Sequence, residues 1–283
     1  MSKAAGQDAP GQPGSAEALG PWPAAPQLAY TIGTLVTDVT LYRSMQRSFV
    51  AGGFGEADCE YLAIDNTTPA QTSAHAGLNR VLDAARGRYV ILCHQDVRLI
   101  GDGRAALDQR LAELELRDPM WAVAGNAGGV APGRLALRIT DPHGADQRVG
   151  EFPVRVASVD ENFLVVKRAA RIGFSRDLGG FHFYGADICL AADVMGSSAY
   201  VIDFHLEHLS PGNSKTSSFG DGLAQFERKW SRALRPRWVQ TTCALAALSG
   251  SAVGLAWRRA VAPRLAKIMR RAAVRQARKD RDR

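Results

Sequence analysis

Two rhythms of apolar and polar positions alternate along the first third of the chain. Residues 30–37 (Tyr-Thr-Ile-Gly-Thr-Leu-Val-Thr) read as a buried strand, and 41–51 carry the three-to-four-residue spacing of a helix. Residues 60–65 (Glu-Tyr-Leu-Ala-Ile-Asp) form a second strand, stopped by the polar run Asn66-Thr67-Thr68-Pro69. A helix is expected over 73–85, ended by Gly87, and then a third strand over 88–93 that runs straight into His94-Gln95-Asp96. Strand–helix–strand–helix–strand within about 65 residues predicts right-handed βαβ units and a mainly parallel sheet. The expected class is α/β, a Rossmann-like mixed sheet flanked by helices.

The second half is less regular. Strands are expected over 120–127, 135–140, 162–167 and 200–204, with a glycine- and aromatic-rich loop over 179–185 and a short helix over 187–195 closed by Gly196. Phe226, Trp230 and Leu234 recur every four residues, as on a helix that covers a core. Residues 1–26, rich in Ala, Gly, Pro and Gln, are expected to be a disordered leader. The body is expected over 27–236, with a nucleotide-binding half over about 27–127 and an acceptor half over about 128–236, followed by a basic helical tail over 237–283.

Charge sharpens that division. The 283 residues hold 35 Lys+Arg and 28 Asp+Glu, a net +7, but 11 of the bases and only 2 of the acids lie in residues 258–283. The other 257 residues hold 24 bases and 26 acids, so the body is near neutral and lacks the basic face that nucleic acid requires. Around Val261, Leu265, Ile268, Met269 and Ala272, one helical face of the tail is ringed by Arg264, Lys267, Arg270, Arg271 and Arg275. That pattern suits an interfacial helix on anionic lipid, or equally a solvated terminal helix. Residues 239–257 are too interrupted by polar residues for a spanning helix. Cys59, Cys93, Cys189 and Cys243 are scattered among apolar residues, as buried thiols of a reducing cytoplasm are. No basic segment precedes an apolar run at the N-terminus, so no secretory signal is expected. The expected location is cytoplasmic, peripheral on the inner membrane face if the tail binds lipid.

In parallel sheets ligands gather at the carboxyl ends of strands. Three polar clusters fall there: Thr37-Asp38, Asp65-Asn66 and His94-Gln95-Asp96. A carboxylate such as Asp96 in that position is a hard-oxygen ligand for Mg²⁺ or Mn²⁺, or a solvated loop residue. Asp65 can take ribose hydrogen bonds or satisfy its own turn. Asp187 at a helix start can be kept ionised there as a base, or simply cap the helix.

In order and spacing, six pieces make the chain resemble the family 2 glycosyltransferases of the GT-A fold, in the subgroup of streptomycin-biosynthesis-type transferases. They are the opening strand through Thr37, residues 63–66, Leu78-Asn79 with 85–96, residues 160–167, residues 181–190, and Val201-Ile202-Asp203 leading to 208–212. The resemblance spans roughly 29–235. It implies nucleotide-sugar contacts from Thr37, Asp65, Asn79, His94 and Gln95, and a divalent cation, Mn²⁺ or Mg²⁺, on Asp96 and His208, with His205 as the rival for the second position. It places Asp187 as the general base, and donor- or acceptor-sugar contacts at Asp160, Glu161, His182 and Tyr184. His94 stands where the family's Asp-x-Asp metal motif has its first aspartate, which also leaves room for metal independence. The implied reaction is inverting transfer of a sugar from a nucleotide diphosphate to an acceptor hydroxyl of a glycan or lipid-linked acceptor. The alternatives are a nucleotidyl or phosphosugar transferase on the same fold, and a membrane-bound binding module without turnover.

Overall fold

A computed structural model describes residues 28–212, 217–240 and 245–281. The expected leader over 1–26 lies outside the described residues, as does Cys243. In chain order the elements are β1 (Leu28–Val36), α1 (Val39–Ala51), β2 (Cys59–Asp65), α2 (Ala74–Ala84), β3 (Gly87–Cys93), β4 (Val97–Leu99), α3 (Arg104–Arg117), β5 (Trp121–Gly125), β6 (Ala127–Ala131), β7 (Arg134–Asp141), β8 (Gly144–Val149), β9 (Val154–Arg155), β10 (Ser158–Val159), β11 (Phe163–Lys167), α4 (Tyr184–Val194), β12 (Ser198–Val201), β13 (Leu206–His208), α5 (Ser217–Leu234), β14 (Arg237–Gln240), β15 (Leu245–Leu248) and α6 (Ala252–Arg281).

The main sheet runs β2-β1-β3-β11-β5-β12-β9. From the pairings, β2, β1, β3, β5 and β12 all point one way, and β11 and β9 point back. This is the mixed, mainly parallel sheet that the strand–helix alternation predicts. Its strands are apolar on both faces because helices cover both. Tyr89, Ile91 and Cys93 of β3 pack with Met45 and Phe49 of α1 and with Leu107, Leu111 and Leu114 of α3. Val90 and Leu92, pointing the other way, pack with Leu78 and Val81 of α2 and Ile188 of α4. Gly87 opens β3 because a Cβ there would lie 2.4 Å from the Thr31 backbone nitrogen.

A second sheet, β10-β6-β7-β13-β4 with β8 beside β7, leans on the end of the first. The chain moves between the sheets at Asn126, which is why the run 120–127 is two strands rather than one. Asn126 accepts the Arg138 N–H on its carbonyl and donates its side-chain amide to the Arg138 carbonyl. Arg237–Gln240 and Leu245–Leu248, expected as part of a helical tail, pair instead as the antiparallel strands β14 and β15, and α6 follows. Among the described residues no helix is long and apolar enough to cross a membrane.

Candidate functional site

The pairing of β13 with β4 decides the geometry. It sets His208 opposite Val97, and the Leu209 N–H donates to the Asp96 carbonyl. His94 follows the last residue of β3, held by donating its backbone N–H to the Asn162 carbonyl. A central strand tip, the turn behind it and a strand of the second sheet thus deliver three side chains to one point. His94 Nδ1 lies 3.2 Å from His208 Nε2, His208 Nε2 lies 3.4 Å from Asp96 Oδ1, and His94 Nδ1 lies 4.0 Å from Asp96 Oδ1. Bonds of about 2.0–2.2 Å to one cation allow donors up to ~4.4 Å apart, so the three fit a shared ion. His94, read from the sequence as a sugar-nucleotide contact, therefore belongs to the same cluster as the two expected metal ligands.

The protonation states suit that use. Burial opposes ionisation of Asp96, but His208, Ser210 and His94 outweigh it and hold the carboxyl down at about 2. Burial and the adjacent His208 ring push His94 down, against the pull of Asp96 and Asp160. A neutral imidazole and an ionised carboxylate are the ligand forms a cation requires.

Beside the cluster opens a cavity of about 250 Å³ lined by Thr37, Asn66, His94, Gln95, Asp96, Phe181 and Tyr184, among others. Gln95 braces its mouth. Its carbonyl oxygen accepts from the Thr37 and Asp38 backbones at 2.8 and 2.9 Å, and its amide donates to Thr37 Oγ1 at 2.7 Å. Asp38 is spoken for: it caps α1 by accepting from Thr40 and Leu41.

The remaining expected residues are distributed differently. Asp65 ends β2 beside Val36 and is exposed, but its Oδ1 accepts the Thr67 N–H and hydroxyl, and these hold its carboxyl below the usual range. That is the turn reading, on the outer edge of the sheet. Asn79 is tied to the backbone of Phe174 through both ends of its amide and does not line the cavity with Thr37. His182 packs edge-on against Phe219. His205 bonds to Thr140, away from Asp96. Asp160 is exposed, with Oδ1 accepting from Asn162. Glu161 accepts from the Gly185 N–H at the start of α4; burial pushes its carboxyl up to about 8 against the pull of those backbone donors. At neutral pH it carries its proton and can donate a hydrogen bond.

Asp187, the expected general base, is enclosed. A base must meet the acceptor hydroxyl, but Asp187 is 0% exposed. Its oxygens accept from Ser175 N–H (2.7 Å), Ser175 Oγ (2.8 Å) and Trp230 Nε1 (3.0 Å). It also does not cap α4: the helix starts at Tyr184, after Phe183 in a left-handed conformation stacked on Phe226 of α5. Asp187 lies within the first turn and ties α4, the 173–178 segment and α5 together.

Tyr184, expected among the sugar contacts, borders the cavity but is bound to the cluster. It is buried, with its hydroxyl 2.8 Å from His94 Nε2 and donating to the Glu161 carbonyl at 3.1 Å. Ser175 carried no signal in the sequence, and Ser210 none beyond its place in the 208–212 piece, since each acts only through a partner brought in by the fold.

No protein-family profile matches the chain. A protein of Fuscovulum blasticum described as ATP synthase subunits region ORF 6 is 38% identical over 213 residues, 72% of this chain and 85% of that one. The chain belongs to its family. Among solved structures, the mannosyltransferase PcManGT of Pyrobaculum calidifontis, in complex with GDP-Man and Mn²⁺, matches with a TM-score of 0.50 and 15% identity over 75% of this chain and 68% of that chain. Residues 1–349 of TarS from S. aureus, in complex with UDP-GlcNAc, match with a TM-score of 0.50 and 10% identity over 72% and 67%. The family thus has the α/β fold of these proteins, as the sequence predicts.

Proposed function

We propose that the protein is a glycosyltransferase that moves a sugar, with inversion, from a nucleotide-diphosphate donor to an acceptor hydroxyl. The observation that carries this reading is the His94–Asp96–His208 cluster beside a cavity at the strand tips, where sheets of this kind hold ligands. Two glycosyltransferases of similar fold, one with GDP-Man and Mn²⁺ and one with UDP-GlcNAc, support it. His94, Asp96 and His208 would hold a divalent cation, which offsets the charge that grows on the departing diphosphate. Thr37, Asn66 and Gln95 border the space for the nucleotide, with Asp65 at the outer rim. The bond from the anomeric carbon to the diphosphate oxygen breaks as the acceptor oxygen bonds to that carbon from the opposite face. We assign the acceptor's proton to Asp160, the exposed carboxylate whose charge His94 and Tyr184 both feel. Asp187 serves to position α4, and neutral Glu161 is a donor rather than a base.

Ligand that binds only the folded state raises its melting temperature. At a hundredfold excess over Kd the gain is ~2.7 kcal/mol, a rise of about 5–10 °C for a body of this size. We expect at least one of UDP, GDP and TDP to give such a shift, larger with Mn²⁺ than with EDTA. Unchanged melting with all three, with and without cation, defeats the reading.

The tail adds a membrane surface to the proposal. Val253, Trp257 and Ile268 of α6 are 81%, 64% and 62% exposed. At 100° per residue they share one face with Arg264, Arg271 and Arg275, while Val261 and Leu265 are half-buried. Such a face suits anionic lipid. The full chain should float with vesicles containing phosphatidylglycerol and be released by salt; equal flotation with pure phosphatidylcholine removes the electrostatic part of the claim.

A further inference from the structure

We propose that the cation site is built to select a transition-type divalent ion (Mn²⁺, Fe²⁺, Co²⁺ or Zn²⁺) over Mg²⁺, and that Tyr184 is the residue that aims His94 at that ion. The inference rests on the cation site of the proposed transfer reaction and adds to it the identity of the ion and a positioning residue.

The donor set carries the first half. His94 Nδ1, His208 Nε2 and Asp96 Oδ1 lie within 4.8 Å of one another, two imidazoles to one carboxylate. Mg²⁺ demands oxygen and parts reluctantly with its waters. Imidazole suits Zn²⁺, Fe²⁺ and the neighbouring ions, and two histidines with one carboxylate on one side, with positions left open opposite, is a set they favour. Histidine in the place of a carboxylate thus removes what would serve Mg²⁺ and leaves what serves the others.

The hydrogen-bond chain carries the second half. The Glu161 carbonyl can only accept, so the Tyr184 hydroxyl donates to it. The phenol oxygen therefore accepts a hydrogen bond from His94 Nε2–H at 2.8 Å. That fixes the neutral ring as the tautomer with its proton on Nε2 and its lone pair on Nδ1, the atom facing His208 and Asp96. Gly185, next in the chain, permits this: a Cβ there would lie 2.3 Å from the Val159 carbonyl, so only glycine lets α4 start close enough. Outer partners of metal-bound histidines are typically worth 10–100-fold in affinity.

The test is calorimetric titration of the metal-free full chain with Mn²⁺, Co²⁺, Zn²⁺ and Mg²⁺, without nucleotide, with the visible absorption of Co²⁺ as a second readout. We expect one Co²⁺ per chain, bound at least ~100-fold tighter than Mg²⁺, and no such binding in His208→Ala. His94→Asp should narrow the ratio at least ~10-fold by strengthening Mg²⁺. Tyr184→Phe, which keeps the packing, should weaken Co²⁺ ~10–100-fold and alter its spectrum. Mg²⁺ binding within ~3-fold of Co²⁺ in the native chain, or a ratio unmoved by His94→Asp, overturns the selectivity. Unaltered Co²⁺ affinity in Tyr184→Phe overturns the positioning role. If the metal ranking holds while no nucleoside diphosphate shifts the melting temperature, the transfer reading fails and this inference stands.

Discussion

Replacing Asp187 with alanine is expected to cost about 3–5 kcal/mol of stability and on the order of 10 °C in melting temperature. The carboxylate has no exposed surface and accepts three hydrogen bonds, two from Ser175 and one from Trp230. Removing it leaves three donors facing a void, at ~1–3 kcal/mol for each one that finds no water. Asp187→Asn should cost less, because one oxygen remains. The instructive comparison is with Asp160→Asn, at an exposed position. There the melting temperature should stay within a degree or two while transfer falls by at least ~100-fold, as loss of a general base requires. Thermal melting and steady-state transfer on the same preparations separate the two carboxylates. If Asp187→Asn melts like the native chain but is inactive, and Asp160→Asn is fully active, the base is Asp187 after all, and α5 must move aside to expose it.

The sequence yields the parts of this site more readily than their arrangement. The βαβ opening is legible because β1, β2 and β3 are apolar runs bounded by polar turns, and each carries its tip residues directly after it. α3 is not, because Leu107, Leu111 and Leu114 sit among six charged residues that flatten the amphipathic signal. At the site, Asp96 declares itself by position, but its neighbours do not. His94 and His208 are 114 residues apart and meet only because β13 pairs with β4 in one register. A shift of one residue would turn the His208 side chain to the other face of its strand. The surroundings of Asp187 are hidden for the same reason: its helix-start position is visible, while Trp230, 43 residues on, covers it only through the docking of α5. Long-range pairing, which no local period encodes, decides which polar residues meet and which are covered.

The second large effect is expected at Asp96. In the metal-free protein it is the only carboxylate of its cluster, lying between two imidazoles. Asp96→Ala should reduce transfer by at least ~10³-fold, because several kcal/mol of charge stabilisation on the diphosphate depends on the cation. It should also abolish the difference in nucleotide-induced melting shift between Mn²⁺ and EDTA. Asp96→Asn tests stability apart from catalysis. A carboxyl held at about 2 instead of the ordinary 3.8 contributes about 2 kcal/mol to folding. Because its folded-state value is depressed, that contribution is complete above 3.8 and is lost as the pH falls through 2. In EDTA the native chain should therefore lose its lead over Asp96→Asn between about pH 4 and pH 2, read from denaturant midpoints at each pH. Equal midpoints for the two chains at pH 6 mean that His208 and Ser210 do not hold the carboxylate as described. Retained Mn²⁺ dependence in Asp96→Ala places the cation elsewhere on the protein.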